Sequence, residues 1–156
     1  MMQITIFIDA DACPVKSETL KVAERYRLPV KIVSNGGMRP SRDPMVETIV
    51  VAAGADAADD WIADNCSKDD IVITADIPLA ARILEAQASP LGPTGKVFTE
   101  ETIGMALAMR QLKQDLRESN QSQTYNRGFE ARDRSNFLQA LDRLVVQATN
   151  RRKARP

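Results

Sequence analysis

The stretch FIDADACPVK, residues 7–16, closes an apolar run on two carboxylates, Asp9 and Asp11, one residue apart. Further along, Asp56, Asp59 and Asp60 follow a second apolar run, and Asp76 follows a third, IVITA at 71–75. Paired acids repel one another, and an unpartnered cluster takes up protons. A hard divalent cation removes that conflict, because Mg²⁺ and Mn²⁺ prefer carboxylate and water oxygens. The chain contains no histidine, so His-based triads, His general bases and His-containing zinc sites are excluded. Any acid–base or metal chemistry therefore rests on Asp, Glu, Lys, Cys or water.

The elements that must position these acids are legible as an alternation. QITIFI at 3–8, VKIVS at 30–34, VETIVVA at 46–52 and IVITA at 71–75 are β-branched runs that predict strands. Helices are expected over 15–27, from about 55 to 66, over 76–87, from Thr99 to about Arg117, and over 134–148. Lys96–Phe98 is expected to be a short edge strand after a Gly/Pro loop at 89–95. Strands alternating with helices predict one α/β domain of 156 residues, a three-layer α/β/α sandwich with a mostly parallel sheet. Sites in such sheets gather at the carboxyl ends of the strands, which is where the acids fall. The spacing i, i+3, i+4 also puts Asp56, Asp59 and Asp60 on one helical face, in a first turn that the helix dipole makes hospitable to negative charge. Asp56 and Asp76 are in addition N-cap candidates.

Other residues admit two readings. Lys16, near a helix N-terminus, is either a solvated lysine or a phosphate contact. Ser34 and Asn35 are turn formers that could also bind phosphate or metal-bound water. Arg39 and Arg42 lie in the loop NGGMRPSRDP and could clamp a polyanion. Cys13, with no histidine to activate it and carboxylates nearby, is expected to be a packing residue, as are Trp61 and Tyr26.

Charge is unevenly spread. Residues 1–109 hold 10 Lys+Arg against 16 Asp+Glu, a balance of −6, and residues 110–156 hold 11 against 5, a balance of +6. A mobile segment is expected over 119–134 and a basic tail over 149–156, in which Arg132, Arg134, Arg151, Arg152, Lys153 and Arg155 are either a solvated helix and frayed end or attract phosphates at long range. Aromatic residues make up 4% of the chain, too few for an extended base-stacking surface. The N-terminal residues lack a basic signal region, and no apolar run spans a membrane, which predicts a cytoplasmic protein without a membrane partner.

FIDADACPVK, VSN at 33–35, GADAADDWI at 54–62 and TADIPLA at 74–80, together with TEETIGMALAMRQL and RDRSNFLQALDRL, resemble the YaiI/YqxD family of small bacterial proteins over nearly the whole chain. That family is similar in its pattern of acids to PIN/NYN-type ribonuclease domains. The resemblance implies a PIN-like fold and Mg²⁺- or Mn²⁺-dependent cleavage of RNA. Asp9, Asp56, Asp60 and Asp76 would then be metal ligands, with Asp11 or Asp60 orienting the attacking water. Asp9-Ala10-Asp11 and KIVSN also resemble haloacid-dehalogenase-like phosphatases, which would make Asp9 a nucleophile. A non-catalytic RNA- or metal-binding module is the third expectation.

Overall fold

The computed structural model describes residues 3–10, 13–36, 40–52, 54, 56–118 and 129–154. Its strands are β1 (Ile6–Asp9), β2 (Val30–Ser34), β3 (Val46–Val50), β4 (Ile71–Ile73) and β5 (Ser89–Leu91). Its helices are α1 (Lys16–Tyr26), α2 (Ala57–Asn65), α3 (Ile77–Glu85), α4 (Glu100–Glu118) and α5 (Ala131–Ala154). The five strands form one sheet in the order β3-β2-β1-β4-β5, and every neighbouring pair is parallel. The chain winds outward from β1 to β3, then returns to the other side of β1. That reversal places the topological switch point between β1 and β4, where open α/β sheets leave a crevice.

Strand alternation sorts the core into two layers. Ile6 and Ile8 of β1 and Ile71 and Ile73 of β4 pack with residues of α1 and α5 on one face. Phe7 and Val72, one residue out of phase, pack with Ala58 and Ile62 of α2 and Leu79 and Ile83 of α3 on the other. Each of these buried Ile, Leu, Val and Phe side chains contributes about 1.5–3 kcal/mol relative to exposure. The two-residue period has a direct consequence for the acids. Asp9 shares its parity with Phe7, and Thr74, just past β4, shares its parity with Val72, so both belong to the α2/α3 face.

Three expectations need correction. Ser89–Leu91, read as loop because of its proline, is the edge strand β5. Pro90 costs the ladder nothing: Ser89 and Leu91 bond to β4 and its flanks, while the Pro90 carbonyl faces outward and accepts from the Phe98 amide at 3.2 Å. Lys96–Phe98 supplies only a single antiparallel bridge, Leu91 to Val97. The last helix runs from 131 to 154, so residues 149–154 continue α5 and 131–134 begin it. Residues 119–128 of the segment expected to be mobile lie outside the described residues. Gly95 explains how the 92–98 turn sits against α5. Its φ is +93°, and a Cβ there would lie 2.7 Å from the Asn136 carbonyl carbon.

Candidate functional site

The acids at the switch point are fixed by strand ends and helix starts. Asp9 ends β1, and its Oδ2 accepts a hydrogen bond of 2.9 Å from the Thr74 hydroxyl. The same Thr74 oxygen accepts from the Asp76 amide at 3.0 Å, so one side chain ties the ends of β1 and β4 together. Asp76 is the N-cap of α3, with Oδ1 accepting from the Leu79 amide at 2.9 Å. That bond satisfies one orphan donor of the helix and uses one carboxyl oxygen. Asp56 occupies the N-cap position of α2, but its side chain makes no capping bond.

Asp59 is the acid on which the others converge. Its carboxyl hydrogen-bonds to Asp76 and feels the negative charges of Asp76, Asp9 and Asp56. Burial is the largest influence on it, and these charges add to burial, pushing its pKa from 3.8 up to about 7. Near neutrality Asp59 is therefore partly protonated. Among the described residues, no three acids stand close enough to form a ready metal cage. Asp60, one position on, turns outward and pairs with Arg82 at 2.7 Å in an exposed ion pair. The spacing in the sequence allowed either residue to face the crevice. The packing of α2 decides it, because Asp59 lies one turn before the buried Ile62, while Asp60 meets α3.

The remaining candidates are dispersed. Asp11 and Arg39 lie outside the described residues. Lys16 opens α1 close enough to Cys13 to stabilise its thiolate electrostatically, although burial dominates and raises that thiol's pKa. Cys13 packs against the core, in keeping with a structural role. Ser34 is buried, and its hydroxyl accepts from the Gly36 amide at 2.9 Å and donates to the Gly36 carbonyl at 3.2 Å. The Ser34 hydroxyl is thus engaged locally with Gly36. Asn35 and Arg42 are exposed beyond the ends of β2 and before β3.

The basic C-terminal run is engaged elsewhere. Arg151 Nε bonds Asp69 Oδ1 at 3.0 Å, and Arg152 Nη2 donates to the Lys68 carbonyl at 3.2 Å. Asp69 precedes β4, so this pairing sits on the sheet's N-terminal edge, opposite Asp9 and Asp76. Arg134 pairs with the largely buried Glu18 at 3.1 Å, and Arg132 with Glu130 at 3.3 Å. Arg155 lies outside the described residues. Missing from the expectation were Asp59 and Thr74. The first was visible as a member of the i, i+3, i+4 set, the second only as the residue two before Asp76. Among the described residues, no helix is long and apolar enough to cross a membrane.

The chain shares this sequence, from its first strand to its last helix, with other bacterial proteins. UPF0178 protein mlr0875 of Mesorhizobium japonicum is 61% identical over 144 residues, covering 92% of this chain and 93% of that protein. UPF0178 protein R01393 of Rhizobium meliloti is 60% identical over 139 residues, covering 89% and 95%. A UPF0178 protein of Parvibaculum lavamentivorans is 57% identical over 147 residues, covering 94% and 96%. No solved structure matches the chain at a significant level. The profile described as "Uncharacterized BCR, YaiI/YqxD family" spans residues 7–147, from Phe7 beside the acidic strand end to the last turns of α5, and the chain belongs to that family.

Proposed function

We propose that the chain is a divalent-cation-dependent phosphodiesterase acting on RNA, with its reaction centre at the β1/β4 switch point. The observation that carries this reading is that Asp9 and Asp76 are held at one strand edge by Thr74 and the Leu79 amide, beside an Asp59 whose pKa burial and the charges of Asp76, Asp9 and Asp56 push up to about 7. Four carboxylates from three chain segments are costly to hold together unless something positive joins them. An all-oxygen donor set suits Mg²⁺ or Mn²⁺ and suits Zn²⁺ or copper poorly. Asp9, Asp59 and Asp76 are the residues that would hold the ion, and their side chains would have to close on it, because no three described acids stand at ligand spacing. When bound, such a cation supplies an activated water and a counter-charge for the reacting phosphate.

The protein's own groups have separable tasks. Thr74 fixes Asp9 by donating to Oδ2, and the Leu79 amide fixes Asp76 through Oδ1, so the two carboxylates are pre-oriented. Asp59, with its pKa near 7, is the member that releases a proton when positive charge arrives. Lys16 at the start of α1 is a phosphate contact beside unbonded helix N–H groups. Neither Asp60, paired with Arg82, nor Ser34, bonded to Gly36, has a part in this reading.

The test is cleavage of a panel of labelled single-stranded and hairpin RNAs, with and without Mn²⁺. Cation-dependent cleavage that falls by about a hundredfold in Asp9→Asn is expected, the scale of losing one positioned catalytic group. Cleavage that survives both chelation and Asp9→Asn would overturn the proposal.

A further inference from the structure

A groove of about 610 Å³ opens beside Asp76 and runs along α4. Lys96, Met105, Met109, Arg110 and Lys113 line it. The walls come from separate parts of the chain: Lys96 from the turn after β5, the other four from α4. Helix α4 is poorly covered for an element of 19 residues, since Ala106 is its one buried position among those described. Met105 is 75% exposed and Met109 47% exposed. Lys96, Arg110 and Lys113 make no ion pair with a described residue, in contrast to Arg82, Arg134 and Arg151. Arg110 and Lys113 lie before the last turn of α4, the stretch in which the helix dipole favours cations. Lys96 is not on that helix; its ammonium lies over the Phe98 ring, 5.4 Å from the centroid, at the edge of the same groove.

We propose that this groove is the path of a single-stranded RNA into the acidic crevice. The strand's phosphates lie on Lys96, Arg110 and Lys113, and its bases lie over Met105 and Met109. The proposal rests on the phosphodiesterase reading for its direction toward Asp76, but the binding surface is independent of turnover. Charge complementarity selects this occupant. In a two-fold contact between two copies, the same patch would face itself and bring three cations against three. A polyanion pairs with the cations, and polarisable thioethers accept any base without demanding its identity. The groove also answers how RNA approaches a crevice that repels it. The cations line the same groove as Asp76, while Arg151 and Arg152 pair at the opposite edge of the sheet.

The experiment measures anisotropy of a labelled, unstructured RNA of about ten nucleotides, in chelator so that no strand is cut, across a salt series. Arg110→Gln/Lys113→Gln keeps good helix formers at exposed positions, and circular dichroism confirms its fold. It is expected to bind about tenfold more weakly and to lower the salt slope by about 1.4, the single-strand value for two phosphate contacts. Lys21→Gln/Arg143→Gln, the same charge change on exposed helix positions elsewhere, should bind as wild type does. Equal affinities for the two double variants would overturn the groove. A parallel cleavage assay with Mn²⁺ separates the two claims. Groove-dependent binding without cleavage upholds this surface and removes the catalytic reading. Cleavage with an unchanged KM in Arg110→Gln/Lys113→Gln overturns the surface and leaves that reading standing. Sedimentation that shows a dimer lost on Met105→Glu would also overturn it, assigning the face to a second copy.

Discussion

The two edges of the sheet treat their acids in opposite ways. At the N-terminal edge Asp69 is 2% exposed, yet two arginines of α5 reach it, Arg151 at 3.0 Å and Arg152 at 3.9 Å. Its neighbour Asp70 accepts from the Thr5 amide at 2.9 Å and the Ser67 amide at 2.8 Å. At the C-terminal edge Asp59 lies against Asp76 and feels the charges of Asp9 and Asp56, and burial and these charges push its pKa up to about 7. The first edge is built to hold strands and α5 together. The second keeps its acids in place with Thr74 and the α3 cap while leaving their mutual repulsion unrelieved. Acids satisfied by the fold serve stability, and acids held against the fold's interest are those expected to have an outside partner.

If that contrast is right, removing charge has opposite signs at the two edges. Asp69→Asn should show the largest effect. Asparagine tolerates the backbone at this position, where φ is +74°, so the substitution removes the charge without straining the turn. Chemical denaturation should register a destabilisation of about 2–4 kcal/mol, because Arg151 and Arg152 lose their counter-charge. An unchanged midpoint would erase the distinction between the edges.

Asp59→Asn should do the reverse. In chelator at about pH 8, denaturation should show a gain of about 1 kcal/mol, a figure reduced for the partial exposure of the site. The pH dependence follows from the same group. Asp59 titrates at 3.8 when unperturbed and at about 7 in the fold, so the native state binds more protons than the unfolded chain between those values. Its favourable contribution is therefore complete below the unfolded pKa and lost as pH rises through about 7. Wild type in chelator should lose melting temperature between about pH 5 and about pH 8 more steeply than Asp59→Asn does. Parallel profiles would mean that Asp59 is not the titrating group.

The smallest effect is expected where the outward acid is concerned. Asp60 and Arg82 are both substantially exposed, with side-chain exposures of 58% and 43%, so Arg82→Gln should change stability by about 0.5 kcal/mol or less. Its response to Mn²⁺ should match that of wild type. A lost metal response in Asp60→Asn, with Asp59→Asn unaffected, would exchange the roles of the two residues.

Much of this arrangement was readable from residue types. β-branched runs that stop at Asp9 and just before Asp76 announce strand ends, and parallel winding puts such ends on one edge. Alternation from Phe7 to Asp9 and from Val72 to Thr74 even gives the face. The choice between Asp59 and Asp60 was not readable, because both follow Asp56 at helical spacing and only the packing of α2 against α3 separates them. The C-terminal arginines misled for a related reason. Their partner Asp69 is 82 residues distant from Arg151 in sequence, and nothing local marks it as buried. Pro90 hid β5, since a proline argues against a strand until the strand is known to lie at an edge.

The central claim is that the C-terminal edge awaits a divalent cation. The most direct measurement is the melting temperature at about pH 8 with increasing Mn²⁺, for wild type, Asp9→Asn and Asp59→Asn. A ligand that binds only the folded state at about a hundred times its Kd adds about 2.7 kcal/mol, worth roughly 5–10 °C for a chain of this size. Wild type should rise by that amount, while Asp9→Asn and Asp59→Asn stay within a degree or so of their metal-free values. A wild-type melting temperature that ignores Mn²⁺ and Mg²⁺ at millimolar concentration, or one that rises equally in all three proteins, would contradict the account.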